Sequence, residues 1–380
     1  TTKNKLLGLA SFSFFGYFLK FICIFEVLMT QILIDIEKTA NLHSGLGQFS
    51  LNYALSMQKY AKELDFLFYA NRKIKIPALQ FDKIYYSYIL AKKPRPQLWH
   101  ALHQFPKYFP PKAVPFLITV HDLNFLHEKN NSKKEKYRRK LQQNIDKADA
   151  ITVISDYTKS QLEKHIDTKG KVIKRIYNGV ELKVYPDAKR PKYLPKNPYF
   201  FSIGIFSEKK NFHKLIPLLK AFPDYSLVIA GQNTSAYAQK IRDLAKEMGV
   251  EKQLILPGAI SEEEKYYLYS HAAAFFFPSK AEGFGMPLIE AMRAGIPVVA
   301  NNACSLPEVG GDIAFYWDSF DEKAMINTVN RALKSFQDNP VKYAARAKKH
   351  AANFSYEKSI SQYIDYYKKI LKDLNFIQNR

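Results

Sequence analysis

Cysteine is nearly absent: Cys23 and Cys304 are the only two in 380 residues, and neither their spacing nor any histidine pair makes a metal-ligand set. A disulfide framework and a structural zinc site are therefore excluded, and a reducing compartment is expected. Carboxylates are also scarce, 35 against 57 lysines and arginines, so the chain carries a formal charge of +22. That charge points to an anionic partner: a membrane surface, nucleic acid or a phosphorylated substrate. No zinc finger, RNA-binding aromatic signature or basic zipper is present, so a non-catalytic nucleic-acid-binding reading rests on composition alone. Asp-x-Asp metal motifs are missing too. The most apolar stretch, residues 6–29, is broken by Lys20 and Glu26, which leaves too short a run to span a hydrocarbon core of about 30 Å. Residues 1–28 read either as a monotopic anchor or as an upstream extension, with translation starting at Met29. The whole chain is 47% hydrophobic, enough for two well-filled cores.

What is present is organised around residues 278–307. An apolar, strand-like run at 272–277 leads into a glycine loop, Pro287 marks a helix start, and Gly295 its stop. Gly283 and Gly285 let backbone approach a ligand closely, and the unpaired N–H groups of a helix start favour an anion such as phosphate. Glu282 and Glu290, eight positions apart, flank that place. Carboxylates repel phosphate and accept hydrogen bonds from hydroxyls, so the pair suits a diphosphate with a sugar at each end. Singly, each glutamate reads as an ordinary solvated or helix-start charge. Glycosidase carboxylates flank a cleft about 5–10 Å wide rather than an anion-binding helix start, which makes that chemistry a poor fit.

Similar strand–loop–helix units recur. Residues 31–36 feed a loop with Gly45 and Gly47 and then a helix to about Leu64; residues 114–120 end at His121; residues 199–205 precede Lys209 and Lys210; residues 226–231 end at Gly231. A histidine or lysine just beyond a strand's carboxyl end lies where open α/β sheets bind ligands, although a satisfied structural histidine and a plain turn glycine are the ordinary alternatives. The alternation predicts an α/β protein with parallel sheets. We divide it into an apolar N-terminal extension (1–30), an N-terminal domain (31–185), a proline- and lysine-rich linker (186–198), a second domain (199–355) and a C-terminal helix (356–380).

The sequence Glu-Gly-Phe-Gly-Met-Pro-Leu-Ile-Glu-Ala at 282–291 resembles the donor-site signature of retaining glycosyltransferase family 4. The resemblance runs from residue 31 onward and implies the GT-B fold, two Rossmann-like domains facing across a cleft, with the last helix crossing back to the N-terminal domain. It implies transfer of a hexose, with mannose suggested by the Lys209-Lys210-Asn211 variant. The donor would be a nucleoside diphosphate sugar and the acceptor a glycan or lipid-linked hydroxyl, as in surface-polysaccharide assembly. Retention, without a covalent nucleophile, metal or cofactor, belongs to the same expectation. Carried over residue by residue, it assigns the ribose to Glu290, the transferred sugar to Glu282 and His121, and the diphosphate to Lys210 and Lys209. Gly45, Gly47, Gly231, Gly283, Phe284, Gly285 and Met286 fall in the donor loops, with Ser305 and Leu306 as secondary contacts. His100 and His103 are weaker acceptor-site candidates. The chain departs from the family's commoner pattern in having Lys209 where many members place arginine. A GT-B epimerase or phosphorylase is the alternative on the same fold.

Nucleotide sugars imply a cytoplasmic enzyme, peripheral on the inner face of the plasma membrane if the seven basic residues of 129–140 meet anionic lipid. A solvated helix face is the plainer reading of those charges. Replacing Lys133, Lys134, Lys136, Arg138 and Arg139 by glutamate is expected to weaken sedimentation with anionic liposomes, and unchanged sedimentation would discard the membrane-facing patch.

Overall fold

The computed structural model describes residues 32–42, 44–70, 79, 84–86, 96–128 and 130–378. The extension at 1–30, with Cys23 and Met29, lies outside them, as do His43 and Lys129. Seven parallel strands form the first sheet in the order β3-β2-β1-β4-β5-β6-β7: β1 (Ile32–Asp35), β2 (Phe66–Ala70), β3 (Ile84–Tyr86), β4 (Leu98–Ala101), β5 (Phe116–Val120), β6 (Ala150–Val153) and β7 (Ile173–Arg175). Six more form the second in the order β10-β9-β8-β11-β12-β13: β8 (Tyr199–Ile203), β9 (Ser226–Ala230), β10 (Leu254–Gly258), β11 (Ala274–Phe277), β12 (Val298–Asn301) and β13 (Phe315–Trp317). Strands such as Phe-Leu-Phe-Tyr-Ala in β2 and Ala-Phe-Phe-Phe in β11 are buried at every position, as helices on both faces of a parallel sheet require. This is the two-domain α/β architecture expected. In each sheet the winding reverses beside the first strand, between β1 and β4 and between β8 and β11. Ligands of such sheets bind beyond the strand ends at that reversal.

From the sequence, residues 171–180 read as one strand ending in a turn formed by Asn178 and Gly179, but the edge strand β7 is only Ile173–Arg175. Among the described residues it pairs with β6 alone, and after Ile176 the chain leaves the sheet for the second domain, where the Val180 N–H donates to the Phe354 carbonyl at 2.8 Å. Gly179, read as a turn former, has a second duty: a Cβ there would lie 2.3 Å from Tyr356 Cδ1 and 2.6 Å from its Cα, so its missing side chain admits the start of the last helix.

That helix, Tyr356–Gln378, packs onto the first domain. Ile360, Tyr363, Ile364, Tyr367 and Ile370 share one core with Ile32, Ile34, Phe49, Tyr53 and Met57. A buried polar network locks it in place. The Tyr367 hydroxyl meets the Tyr53 hydroxyl and His100 Nδ1, each at 2.6 Å; His100 Nε2 meets Thr119 Oγ1 at 2.7 Å, and Thr119 reaches Thr152 Oγ1 at 2.7 Å. His100, weighed as an acceptor-site residue, is thus a core residue committed to protein partners. Burial, and secondarily the charge of His121, holds its pKa down to about 3. Among the described residues no helix is long and apolar enough to cross a membrane.

Two measurements check this network. Tyr367→Phe leaves the Tyr53 hydroxyl and His100 Nδ1 short of a partner in the core and should cost about 1–3 kcal/mol of unfolding free energy in denaturant titration. Because His100 titrates lower in the folded than in the unfolded chain, the unfolded state binds the extra proton. Stability is then complete above the ordinary histidine value of about 6.5 and falls as pH drops from there toward about 3, read as a declining Tm. A flat Tm across that window would contradict the buried neutral imidazole.

Candidate functional site

Beyond β11 the chain makes the predicted glycine loop and enters the helix Met286–Ala294, one residue earlier than Pro287 suggests. Gly285 at its N-cap has φ of +99° and Gly295 at its C-cap +85°, values that favour glycine. Among the described residues no side chain caps the helix start. A Cβ on Gly285 would also sit 2.7 Å from Leu306 Cδ2, so Leu306, fully buried, serves as the floor under the loop. Ser305 is buried as well and donates from Oγ to the Glu282 carbonyl at 3.0 Å.

Lys210, from the loop after β8, reaches Glu282 Oε1 at 2.6 Å; both side chains are 14% exposed. Ser279 Oγ donates to the same oxygen at 2.6 Å, and the Lys210 ammonium stands 4.7 Å above the Phe277 ring. Burial pushes the Glu282 carboxyl up. Lys210 and then Lys209, with the hydrogen bonds from Lys210 and Ser279, more than offset that and hold it below the usual carboxylate range. The Lys209 carbonyl accepts from the Lys280 N–H at 2.9 Å, which ties the two loops together.

Glu290, 16% exposed, has its own partners: Lys265 Nζ at 3.2 Å and the Tyr269 hydroxyl at 2.8 Å. Lys265 and Tyr269 lie four positions apart on the helix Glu262–His271 and so share a face. Burial lowers the Lys265 pKa, but Glu290 and Glu262 outweigh it and the ammonium is held charged. The two glutamates form separate ion clusters along one loop and helix rather than a facing carboxylate pair.

From the other domain comes His121, just past β5 and 5% exposed. Its Nε2 is 2.7 Å from the Leu102 carbonyl, an acceptor, so Nε2 carries the proton and Nδ1 is the bare nitrogen. Its ring meets Phe49 edge-on at 4.5 Å. Burial drives its pKa down to about 4. Its backbone carbonyl matters as much: a Cβ on Gly283 would lie 2.0 Å from it. Gly283 is therefore a glycine because the first domain touches it. Ser155 Oγ donates to the Gly283 carbonyl at 2.7 Å, and Thr158 Oγ1 to the His121 carbonyl at 3.1 Å.

Gly45 is exposed with open space at its missing side chain, whereas Gly47 packs so closely that a Cβ would meet the Asn41 carbonyl at 1.9 Å. Gly231, with φ of +136°, passes the Gly204 backbone in the same way. Phe284 is buried against Tyr177 and Phe354, so only its backbone faces the loop; Met286 is half-buried. His103 has both ring nitrogens engaged, Nδ1 by the Phe105 N–H at 3.0 Å and Nε2 by Glu37 at 3.3 Å. Sequence reasoning missed Lys265, Tyr269 and Ser279. Ser279, three residues before Glu282, was within reach; the other two act across 25 and 21 positions and left no local signal.

Residues 187–354 match the family model Glycosyl transferases group 1, and residues 63–184 match Glycosyltransferase Family 4. The chain is 27% identical over 288 residues to O-antigen chain mannosyltransferase B of Escherichia coli, covering 69% of this chain and 72% of that protein. It is 25% identical over 338 residues to O-antigen chain mannosyltransferase RfbU of Salmonella typhimurium, covering 81% and 92%. The structure of sucrose-phosphate synthase from Thermosynechococcus elongatus superposes with a TM-score of 0.71 at 18% identity, over 90% of this chain and 100% of that one, a likeness of fold. With a glycosyltransferase family model on each domain and the GT-B pair of doubly wound sheets beneath them, the chain is a glycosyltransferase similar to the mannosyltransferases of O-antigen synthesis.

Proposed function

We propose that this enzyme transfers a hexose, mannose by the names of its relatives, from a nucleoside diphosphate sugar to a hydroxyl of a glycan or lipid-linked acceptor, with retention, in surface-polysaccharide assembly. The observation that carries the reading is the Lys210–Glu282 pair beside the uncapped helix start at Gly285, opposite His121. Lys210 and the helix-start N–H groups supply positive charge for a diphosphate, and that charge stabilises the leaving group as the glycosidic bond breaks. Lys209, whose charge also acts on Glu282, is the second ammonium assigned to the diphosphate. Glu282, kept ionised, accepts hydrogen bonds from hydroxyls of the transferred sugar; Glu290, steadied by Lys265 and Tyr269, does the same for the ribose.

His121 is neutral and its Nε2 proton is committed to Leu102, so toward a sugar hydroxyl Nδ1 acts as an acceptor, not a donor. The nucleotide sugar is a substrate in this scheme, and no resident cofactor or metal is assigned. Cytoplasmic donor pools and an anionic inner leaflet suit the basic helix Asn131–Lys147 as a peripheral contact. A GT-B epimerase or phosphorylase would release a rearranged or phosphorylated sugar, so chromatography of the product separates those chemistries from transfer.

Glu282→Ala and Lys210→Ala are expected to lower transfer kcat by on the order of 100-fold or more, with far-UV circular dichroism unchanged. Full activity with a panel of nucleoside diphosphate hexoses in either variant would refute that residue's role.

A further inference from the structure

Glu308 belongs to the second domain, in the short turn of helix Leu306–Gly310, but its carboxylate is bound by the first. Oε1 accepts the Asp156 N–H at 2.7 Å and Oε2 the Tyr157 N–H at 3.0 Å. These are the first two N–H groups of the ten-residue helix Asp156–His165; the third, of Thr158, is capped by Ser155 Oγ at 3.0 Å. The helix start satisfies one donor from its own domain and two with a carboxylate from the other domain. Around this contact, Arg175 pairs with Asp156 at 3.0 Å and lies 3.9 Å over the Tyr177 ring, which packs at 5.9 Å on Phe284 of the donor loop.

The chemistry of the attachment is what a reversible junction needs. A carboxylate and a helix start are both well solvated when apart, and together they make two charge-assisted, directional bonds on the positive end of a helix dipole. The same turn also reaches the donor loop, because Ser305 Oγ donates to the Glu282 carbonyl at 3.0 Å and the Val309 N–H returns to the Ser305 carbonyl at 2.9 Å. One rigid turn therefore holds the Glu282 backbone at one end and the opposite domain at the other.

We infer that Glu308 is a positioning residue of the transfer step, a clasp that fixes the Glu282 loop against His121 when the domains are together. The inference rests on the transfer reading above for its kinetic part and on cross-domain geometry alone for its structural part. Nucleotide binding to the second domain does not need the clasp; the assembled site does.

The test uses the full chain, wild type, Glu308→Ala and Glu308→Gln. Small-angle scattering should show the Ala variant expanded relative to wild type. Calorimetry with UDP and GDP should give a Kd within about two-fold of wild type, while transfer kcat falls about ten-fold or more. Glu308→Gln keeps one carbonyl acceptor and should recover part of the rate. Unchanged scattering and kcat in Glu308→Ala would overturn the clasp. So would a loss of kcat that tracks a lower Tm and a weaker Kd without recovery in the Gln variant, since that is general structural support. A wild type that binds no nucleotide and transfers no hexose would sink the functional reading instead, and the scattering comparison would still decide the clasp.

Discussion

The carbonyl oxygen of His121 occupies the space that a side chain at position 283 would fill, 2.0 Å from where its first carbon would be. Any other residue there would push the domains apart. Everything in the site follows from that close approach: β5 of one sheet and the loop after β11 of the other meet end to end, and Ser155 and Thr158 supply hydroxyl donors to both carbonyls. Backbone contact sets the distance, leaving side chains free to define chemistry.

The charges around it are arranged in a protein short of carboxylates. Glu282 and Glu290 each have an ammonium within 3.2 Å and a hydroxyl within 2.8 Å. Largely buried ion pairs contribute little net stability because desolvation opposes the Coulomb attraction, so their presence here argues for function more than for folding. The Lys210–Glu282 pair holds a cation and an acceptor side by side beside an uncapped helix start, a combination suited to a ligand with an anionic bridge and hydroxyls.

Much of the fold was legible because parallel strands buried on both faces appear as continuous apolar runs bounded by turn residues. Element ends were less legible: β7 stops early at the sheet edge, and the helix Gly45–Tyr60 ends before Leu64. The donor loop was legible too, since its glycines, proline and glutamates are local. Their causes were less so. Gly283, Gly47 and Gly231 read as openings toward a ligand, yet each is filled by another segment's carbonyl, a contact that exists only after folding. Phe284 reads as a loop residue but belongs to an aromatic cluster with Tyr177 and Phe354. Glu308 shows no sign in the sequence of its attachment to a helix about 150 positions away.

The helix Tyr356–Gln378 supplies core side chains to the sheet that is made first. During synthesis that sheet emerges from the ribosome well before its last covering layer, with the whole second domain translated in between. At about 5–20 residues per second the delay is on the order of ten to forty seconds. Throughout it, the face of Tyr53 that later meets Tyr363 and Tyr367 stays uncovered, so the core of the first domain is sealed only after the second domain has been made.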